Sequence, residues 1–168
     1  MRIPHDDSYW VIPTRLLAGA YPGALDEAGA KRKLQSILDV GVTAFIDLTE
    51  EGELQPYSNL LQSMPASDNT SIIHERLPIR DLSVPTESGM SVMLDRIITL
   101  LGIGEIVYVH CWGGIGRTGT VIGCYMVQEM GMTGSEAILS IEESRRGTRN
   151  SARRSPETQD QRDMVMKW

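Results

Sequence analysis

The sequence has few of the features that stabilise secreted or membrane proteins. Its 168 residues include only two cysteines, Cys111 and Cys124, and no apolar run approaches the roughly 18 to 20 residues that a membrane-spanning helix needs. Two cysteines cannot form a disulfide framework, and the N-terminal segment, MRIPHDDSYW, lacks the apolar stretch of a signal peptide. We therefore expect a protein of the reducing cytoplasm.

The sequence also lacks an excess of positive charge. Its 16 lysines and arginines are outnumbered by 22 acidic residues, which gives a formal net charge of −6 at pH 7. This balance argues against general binding to nucleic acids or anionic membranes, so we predict neither as a partner. Hydrophobic residues (41%) and charged residues (23%) are at ordinary levels for a globular protein, and the length suits one domain over residues 1–168.

Strand-like and helix-like segments alternate along the chain, which is typical of a mixed α/β domain with a mostly parallel central sheet flanked by helices. The predicted strands are residues 9–12, 15–18, 42–48, 72–77 and 106–109. The predicted helices are residues 26–40, residues 87–101, and a third that ends at about residue 130. Capping signals at Thr133 and at Ser155–Pro156 predict two more helices, and the polar stretch 64–71 predicts a loop.

One segment, IVYVHCWGGIGRTGT at residues 106–120, carries the chemistry. A strand leads to a cysteine, a turn with three glycines, an arginine and the start of a helix. Glycines allow successive backbone N–H groups to point inward, and a helix N-terminus adds positive potential, so this pattern indicates an anion site. Arg117 provides a planar fork that can hold two oxygens of a phosphate.

The same surroundings act on Cys111. Inward N–H groups, a helix N-terminus and a guanidinium favour the thiolate, and a thiolate at the base of a phosphate site is a nucleophile aimed at phosphorus. The simpler alternative is a small core cysteine at the end of a strand. His110 before the cysteine and Thr118 after the arginine favour the nucleophile.

The segment HCWGGIGRTG resembles the H-C-x5-R-[S/T] signature of cysteine-dependent protein tyrosine and dual-specificity phosphatases, and the chain is similar to small, microbial-type members of that family. The resemblance extends over most of the chain and implies a compact α/β phosphatase fold. It implies that Cys111 forms a phosphocysteine, that Thr118 hydrogen-bonds the sulfur and that His110 orients the loop. It also implies a set of phosphate-binding residues: Trp112, Gly113, Gly114, Ile115, Gly116 and Arg117.

The family also uses an aspartate on a separate loop as general acid and base. In this sequence the resemblance assigns that role to Asp81, which lies 30 positions before Cys111 between Pro78 and Pro85. The competing acids are Asp47, Glu50 and Asp95. Some tyrosine phosphatases carry Q-T-x-x-Q, whose glutamines order the hydrolytic water. Here Gln161 matches the second glutamine, but Glu157 replaces the first. Gln161 is therefore either a water-positioning residue or part of an exposed polar helix face.

Three further features have open interpretations. The five arginines of residues 145–154 bind a second phosphate or an acidic substrate flank, or they form a solvated loop. Cys124 is a resolving cysteine or a buried packing residue. Trp112 lines the rim of the pocket or packs under the loop. The three histidines show no ligand spacing with the cysteines, so we predict no metal and no cofactor.

The sequence therefore predicts a phosphomonoester hydrolase, with phosphotyrosine in a protein as the favoured substrate. One alternative is a phosphatase of a phosphoinositide, an RNA 5′-phosphate or a small metabolite, although the loop lacks the lysines common in phosphoinositide phosphatases. Another is a phosphate-binding module without catalysis, and a third is a different thiol enzyme that shares the C-x5-R loop.

Overall fold

The computed structural model describes residues 2–64 and 71–168. The strands are β1 (Ser8–Ile12), β2 (Leu16–Ala20), β3 (Ala44–Asp47), β4 (Ile73–Arg76) and β5 (Val107–Cys111). The helices are α1 (Glu27–Leu38), α2 (Ser58–Gln62), α3 (Glu87–Gly102), α4 (Gly116–Met130), α5 (Gly134–Ser144) and α6 (Gln159–Lys167).

The five strands form one sheet in the order β1-β2-β5-β3-β4. β5 lies in the middle, parallel to β2 on one side and to β3 on the other, and β4 is parallel to β3. Only β1, at the edge, is antiparallel to its neighbour. The carboxyl ends of four strands therefore meet at one edge of the sheet, where open α/β sheets place their ligands.

Helices cover both faces of the sheet. One face packs against apolar residues of α3, α4, α5 and α6, and the other against α1 and α2. All five residues of β5 are buried, as expected for a central strand covered on both sides. α4 is buried along most of its length because it lies against α3, α5, α6 and the sheet.

The structure confirms the mixed α/β class, the five strands and the helices predicted at residues 26–40 and 87–101, with boundary shifts of a few residues. The predicted capping box at Thr133 is present: the Thr133 hydroxyl accepts from the Glu136 backbone, and the Glu136 carboxylate accepts from the Thr133 backbone. Residues 65–70 of the loop predicted at 64–71 lie outside the described residues.

The predicted start of the last helix is wrong. Ser155–Pro156 does not cap α6, which begins at Gln159 and is capped by Thr158 together with Gln161. The Ser155 hydroxyl instead donates to the Ile115 carbonyl at 2.7 Å, so this segment contacts the glycine-rich loop before the helix starts. Sequence analysis also did not predict α2, a helix of five residues.

Candidate active site

The glycine-rich loop joins the central strand β5 to α4. Cys111 is the last residue of β5, and α4 begins at Gly116. Gly114 has φ +67°, and a Cβ there would lie 2.4 Å from the Gly19 carbonyl carbon. Only glycine fits at this position, because both the backbone conformation and the close approach to the end of β2 exclude a side chain. The sequence therefore folds locally into a tight loop at the carboxyl edge of the sheet.

Cys111 lies at the base of a cleft of about 470 Å³ and is almost fully buried. Five of the six loop residues predicted to bind phosphate line the cleft: Trp112, Gly113, Ile115, Gly116 and Arg117. The sixth, Gly114, does not line it, because Gly114 packs against the backbone of Gly19. Asp81 and Leu82 line it from the loop after β4. Further lining residues are Asp7, Ala20, Tyr21, Gly23, Lys33, Asn150, Arg153 and Glu157.

The guanidinium of Arg117 is buried and held by two loops. Nη1 donates to Glu53 Oε2 at 2.7 Å, and Nη2 donates to Glu53 Oε1 at 2.6 Å, a bidentate pair. Nη1 also donates to the Ile79 carbonyl at 3.1 Å. The hydrogen bonds from Arg117 lower the pKa of Glu53, so this carboxylate is ionised at neutral pH. The arginine is thus fixed in place at the cleft.

Asp81 follows β4 on an irregular segment and reaches the same arginine. Its Oδ1 lies 3.1 Å from Arg117 Nη2, and its side chain is 51% exposed. The next residue, Leu82, has φ +59°, a left-handed conformation that a leucine rarely adopts. The structure therefore brings Asp81 and Arg117 together, and Cys111 lies in the same cleft. Of the competing acids, Asp47 is buried, while Glu50 and Asp95 are exposed and line no part of this cleft.

His110 lies beneath the loop in a buried polar network. Its Nε2 is 2.6 Å from the Tyr57 hydroxyl and 4.0 Å from Asp47 Oδ1. Burial lowers the pKa of His110 to about 4, so its ring is neutral at pH 7. Burial alone would raise the pKa of Asp47, but neighbouring donors and charges hold it below its ordinary range. A neutral imidazole beside an ionised carboxylate is suited to orienting the end of β5.

Two more predicted site residues, Thr118 and Gln161, are also buried close to the loop. Thr118 lies on the first turn of α4, and its hydroxyl donates to the Gly19 carbonyl at a long 3.5 Å. The predicted hydrogen bond from Thr118 to the Cys111 sulfur is not among the hydrogen bonds of the described residues, because the hydroxyl is directed to the end of β2 instead. The Gln161 side chain accepts from two backbone N–H groups at the start of α6 and donates to the Ser83 carbonyl. It is fully buried, so it does not belong to an exposed polar face.

Of the five arginines in residues 145–154, one is buried and the other four lie at the surface. Arg145 is buried and donates to the carbonyls of Asn150 and Arg153. Arg149 approaches Asp6, and Arg153 forms an ion pair with Glu157 at the cleft.

Cys124 is fully buried on α4, and burial raises the pKa of its thiol to about 12. These surroundings fit the packing interpretation.

Sequence analysis missed Glu53 and Tyr57. Glu53 follows β3 in a run of acidic residues, and nothing in its local spacing distinguishes it from Glu50 or Glu51. Strand order is the feature that could have pointed to Glu53, because the segments after β3 and β5 meet at one edge of the sheet. Lys33, also unpredicted, reaches the cleft from α1 and donates to the Tyr21 carbonyl.

Residues 2–64 and 71–168 show neither a metal cluster nor a membrane-spanning helix. They contain no group of three or more histidine, cysteine, aspartate or glutamate side chains arranged to hold a metal ion. Within the same residues, every helix is too short or too polar to cross a membrane.

Comparison with known proteins agrees with this geometry. The family model described as "PTP-SAK: Swiss Army Knife protein, DSP-PTPase phosphatase domain" matches residues 6–165. The chain is 29% identical over 149 residues to dual specificity protein phosphatase CDC14B of Mus musculus, covering 84% of this chain and 28% of that protein. It is 29% identical over 138 residues to phosphatidylglycerophosphatase and protein-tyrosine phosphatase 1 of Rattus norvegicus, covering 82% of this chain and 67% of that protein.

A solved structure shares the fold. The crystal structure of Tk-PTP in the active form has a TM-score of 0.75 at 22% identity and covers 96% of this chain and 95% of that one. The chain spans between 28% and 50% of the length of several curated relatives that it matches. Because the family model extends over nearly all of its residues, the chain belongs to the PTP-SAK family of DSP-PTPase phosphatase domains.

Proposed function

We propose that this protein hydrolyses phosphomonoesters through a phosphocysteine at Cys111, with protein phosphotyrosine as its substrate. The observation that carries the proposal is the convergence in one cleft of a buried cysteine, a fixed arginine and an aspartate 3.1 Å from that arginine. These groups supply the nucleophile, the phosphate-binding charge and the proton donor of a two-step displacement.

In the first step the Cys111 thiolate attacks phosphorus, the S–P bond forms and the bond to the leaving oxygen breaks. When phosphate replaces Asp81 beside Arg117, Asp81 enters this step in its protonated form and gives that proton to the leaving oxygen. Arg117 and the loop N–H groups from Trp112 to Arg117 hold the non-bridging oxygens. In the second step water attacks phosphorus, Asp81 takes the water's proton, and the S–P bond breaks to release phosphate and the thiolate. In this step the Thr118 hydroxyl turns from its long bond with the Gly19 carbonyl to donate to the departing sulfur, and no metal is required.

The rim of the cleft supports an aromatic leaving group. Trp112 is 61% exposed and Leu82 is 55% exposed, although both are large apolar residues, and both line the cleft. A phenyl ring that binds at this rim buries apolar surface against these side chains, whereas a serine or threonine side chain reaches less of it.

We further propose that residues 1–168 act as one catalytic domain in the cytoplasm. Both thiols are free, which suits a reducing compartment.

The first test is hydrolysis of an aryl phosphate in the presence of a chelator. We expect the wild type and Cys124→Ser to be active and Cys111→Ser to be inactive, with an unchanged circular dichroism spectrum. Cys124→Ser is the matched control because it makes the same substitution in the same fold. A phosphoenzyme trapped by acid quench in the wild type, and absent in Cys111→Ser, identifies the intermediate. Turnover by Cys111→Ser, or a wild type that binds phosphopeptide without hydrolysis, would contradict the proposal.

A substrate panel then separates the substrate classes. We expect the highest kcat/KM for a phosphotyrosyl peptide, and lower values for the matching phosphothreonyl peptide and for phosphoinositide in vesicles. Trp112→Ala should reduce the preference for phosphotyrosine over phosphothreonine if the aromatic rim selects the ring. A preference for the phosphoinositide would contradict phosphotyrosine as the substrate and would favour the alternative of a lipid phosphatase.

A further inference from the structure

The Gln161 side chain connects three segments of the site. It is fully buried at the start of α6, and both ends of its amide have protein partners. Oε1 accepts from the backbone N–H groups of Glu157 and Thr158, each at 3.1 Å. Nε2 donates to the Ser83 carbonyl at 3.1 Å. Ser83 lies two residues after Asp81, so this bond joins α6 to the segment that carries the proposed general acid.

The same side chain packs against the phosphate-binding loop. A Cβ added at Gly116 would lie 2.8 Å from Gln161 Oε1, so the amide lies directly beside the first residue of α4. The Ser155 hydroxyl donates to the Ile115 carbonyl nearby. Residues 155–161 therefore contact the loop that holds phosphate, and through Gln161 they also contact the segment that holds Asp81.

The Asp81 segment needs such an anchor. It is irregular, Asp81 is half exposed, and Leu82 has an unfavourable left-handed backbone conformation. A general acid works only within hydrogen-bond reach of the leaving oxygen, and small misplacements cost large factors in rate. The buried bond from Gln161 to Ser83 is one of the contacts that fix this segment relative to the loop.

We infer that Gln161 is a positioning residue that holds Asp81 over the cleft, rather than a residue that orders the hydrolytic water. The inference rests on the proposed function, because it gives Gln161 a role through the general acid. The amide oxygen and the amide nitrogen of Gln161 are both hydrogen-bonded to protein backbone groups. A glutamine that orders the hydrolytic water would instead direct one of these groups to the water.

The variant that tests this inference is Gln161→Glu. The carboxylate still accepts from the two N–H groups at the helix start, but it replaces the donor to Ser83 with an acceptor. Gln161→Met is a second, uncharged variant of similar length that also lacks the donor. The matched control is Thr158→Ala. It removes the other half of the helix cap, in which the Thr158 hydroxyl accepts from the Gln161 backbone N–H. It leaves the bond from the Gln161 side chain to the Ser83 carbonyl in place.

The measurement is kcat/KM for a series of aryl phosphates with leaving groups of increasing pKa. For the poorest leaving groups we expect roughly a tenfold loss in Gln161→Glu and Gln161→Met, because a misplaced acid no longer protonates the leaving oxygen. For nitrophenyl phosphate the loss should be about twofold or less. Thr158→Ala should change kcat/KM by the same factor for every substrate in the series. A uniform loss in the Gln161 variants would overturn the inference.

Asp81→Asn separates failure of this inference from failure of the proposed function. If Gln161 acts through the acid, Gln161→Glu made on the Asp81→Asn background should cause little further loss. An equal loss on both backgrounds would show a direct effect of the new charge on phosphate binding and would overturn the inference alone. If Asp81→Asn itself leaves the dependence on the leaving group unchanged, the acid assignment in the proposed function fails.

Discussion

At the scale of single residues, the site depends on how Arg117 is held. A buried guanidinium with five donors needs acceptors around it, and Glu53 and the Ile79 carbonyl supply them. The Glu53 pair uses both terminal nitrogens, so it fixes the plane of the guanidinium before a substrate arrives. We therefore interpret Glu53 as a positioning residue for phosphate binding.

We expect Glu53→Gln to reduce kcat/KM for an aryl phosphate by about tenfold, the equivalent of one charge-assisted hydrogen bond of about 1.5 kcal/mol. The amide keeps one acceptor oxygen but loses the charge and the second acceptor. Glu50→Gln is the control, because this neighbouring acid is exposed and makes no contact with Arg117. A higher kcat/KM for Glu53→Gln than for the wild type would contradict the interpretation. It would show that Glu53 competes with phosphate for Arg117.

At the scale of elements, the glycine-rich loop shows how the backbone limits the sequence. Gly113 and Gly114 are adjacent, but only Gly114 combines a left-handed φ with backbone atoms that would lie closer than 3 Å to an added Cβ. At Gly113 the nearest atom, Ile115 Cδ1, would be 3.5 Å from such a Cβ, an ordinary contact. The two glycines therefore have different roles in one loop.

We expect Gly114→Ala to destabilise the protein by about 1–3 kcal/mol and to reduce activity by at least about a hundredfold, because the loop must move away from Gly19. Gly113→Ala should change both quantities little. Chemical denaturation and aryl phosphate hydrolysis measure the two effects. Equal effects at the two positions would show that the close approach of Gly114 to β2 is unimportant.

At the scale of the whole molecule, two histidines couple folding to pH: His110, which is fully buried, and His5, which is partly buried. Burial, helped by nearby positive charges, lowers the pKa of His5 to about 3, and burial lowers the pKa of His110 to about 4. Both rings are neutral in the folded protein near pH 5, whereas the unfolded chain begins to protonate them near pH 6.5, about the ordinary pKa of histidine. The unfolded state therefore binds more protons in this range, and stability falls as the pH falls from about 6.5 toward 4.

We expect the free energy of unfolding to decrease between about pH 6.5 and 5 by up to about 1.4 kcal/mol per pH unit for each histidine. Urea denaturation at these pH values measures the slope, and most carboxylates do not yet titrate there. His5→Asn should reduce the slope by about half, since it removes one of the two groups. A slope that is unchanged in His5→Asn would show that His5 is not the group responsible.

Local sequence determined much of the fold and the centre of the site. The apolar spacing of the helices at residues 26–40 and 87–101, the cap at Thr133 and the glycine-rich turn are all local features, so sequence analysis could predict them. The start of the last helix was predicted wrongly at Ser155–Pro156, whereas Thr158 and Gln161 form the capping box that starts α6.

Contacts between distant segments were decided only by the tertiary structure. Glu53, Asp81 and Arg117 meet because β3, β4 and β5 are parallel neighbours whose carboxyl ends share one edge of the sheet. The bond from Gln161 to Ser83 spans 78 positions of the chain. Short-range periodicity and capping arise from interactions within one or two turns of the chain, so the sequence alone determines them. Which carboxylate reaches the arginine depends on strand order and loop path, which only the packing of the whole chain fixes.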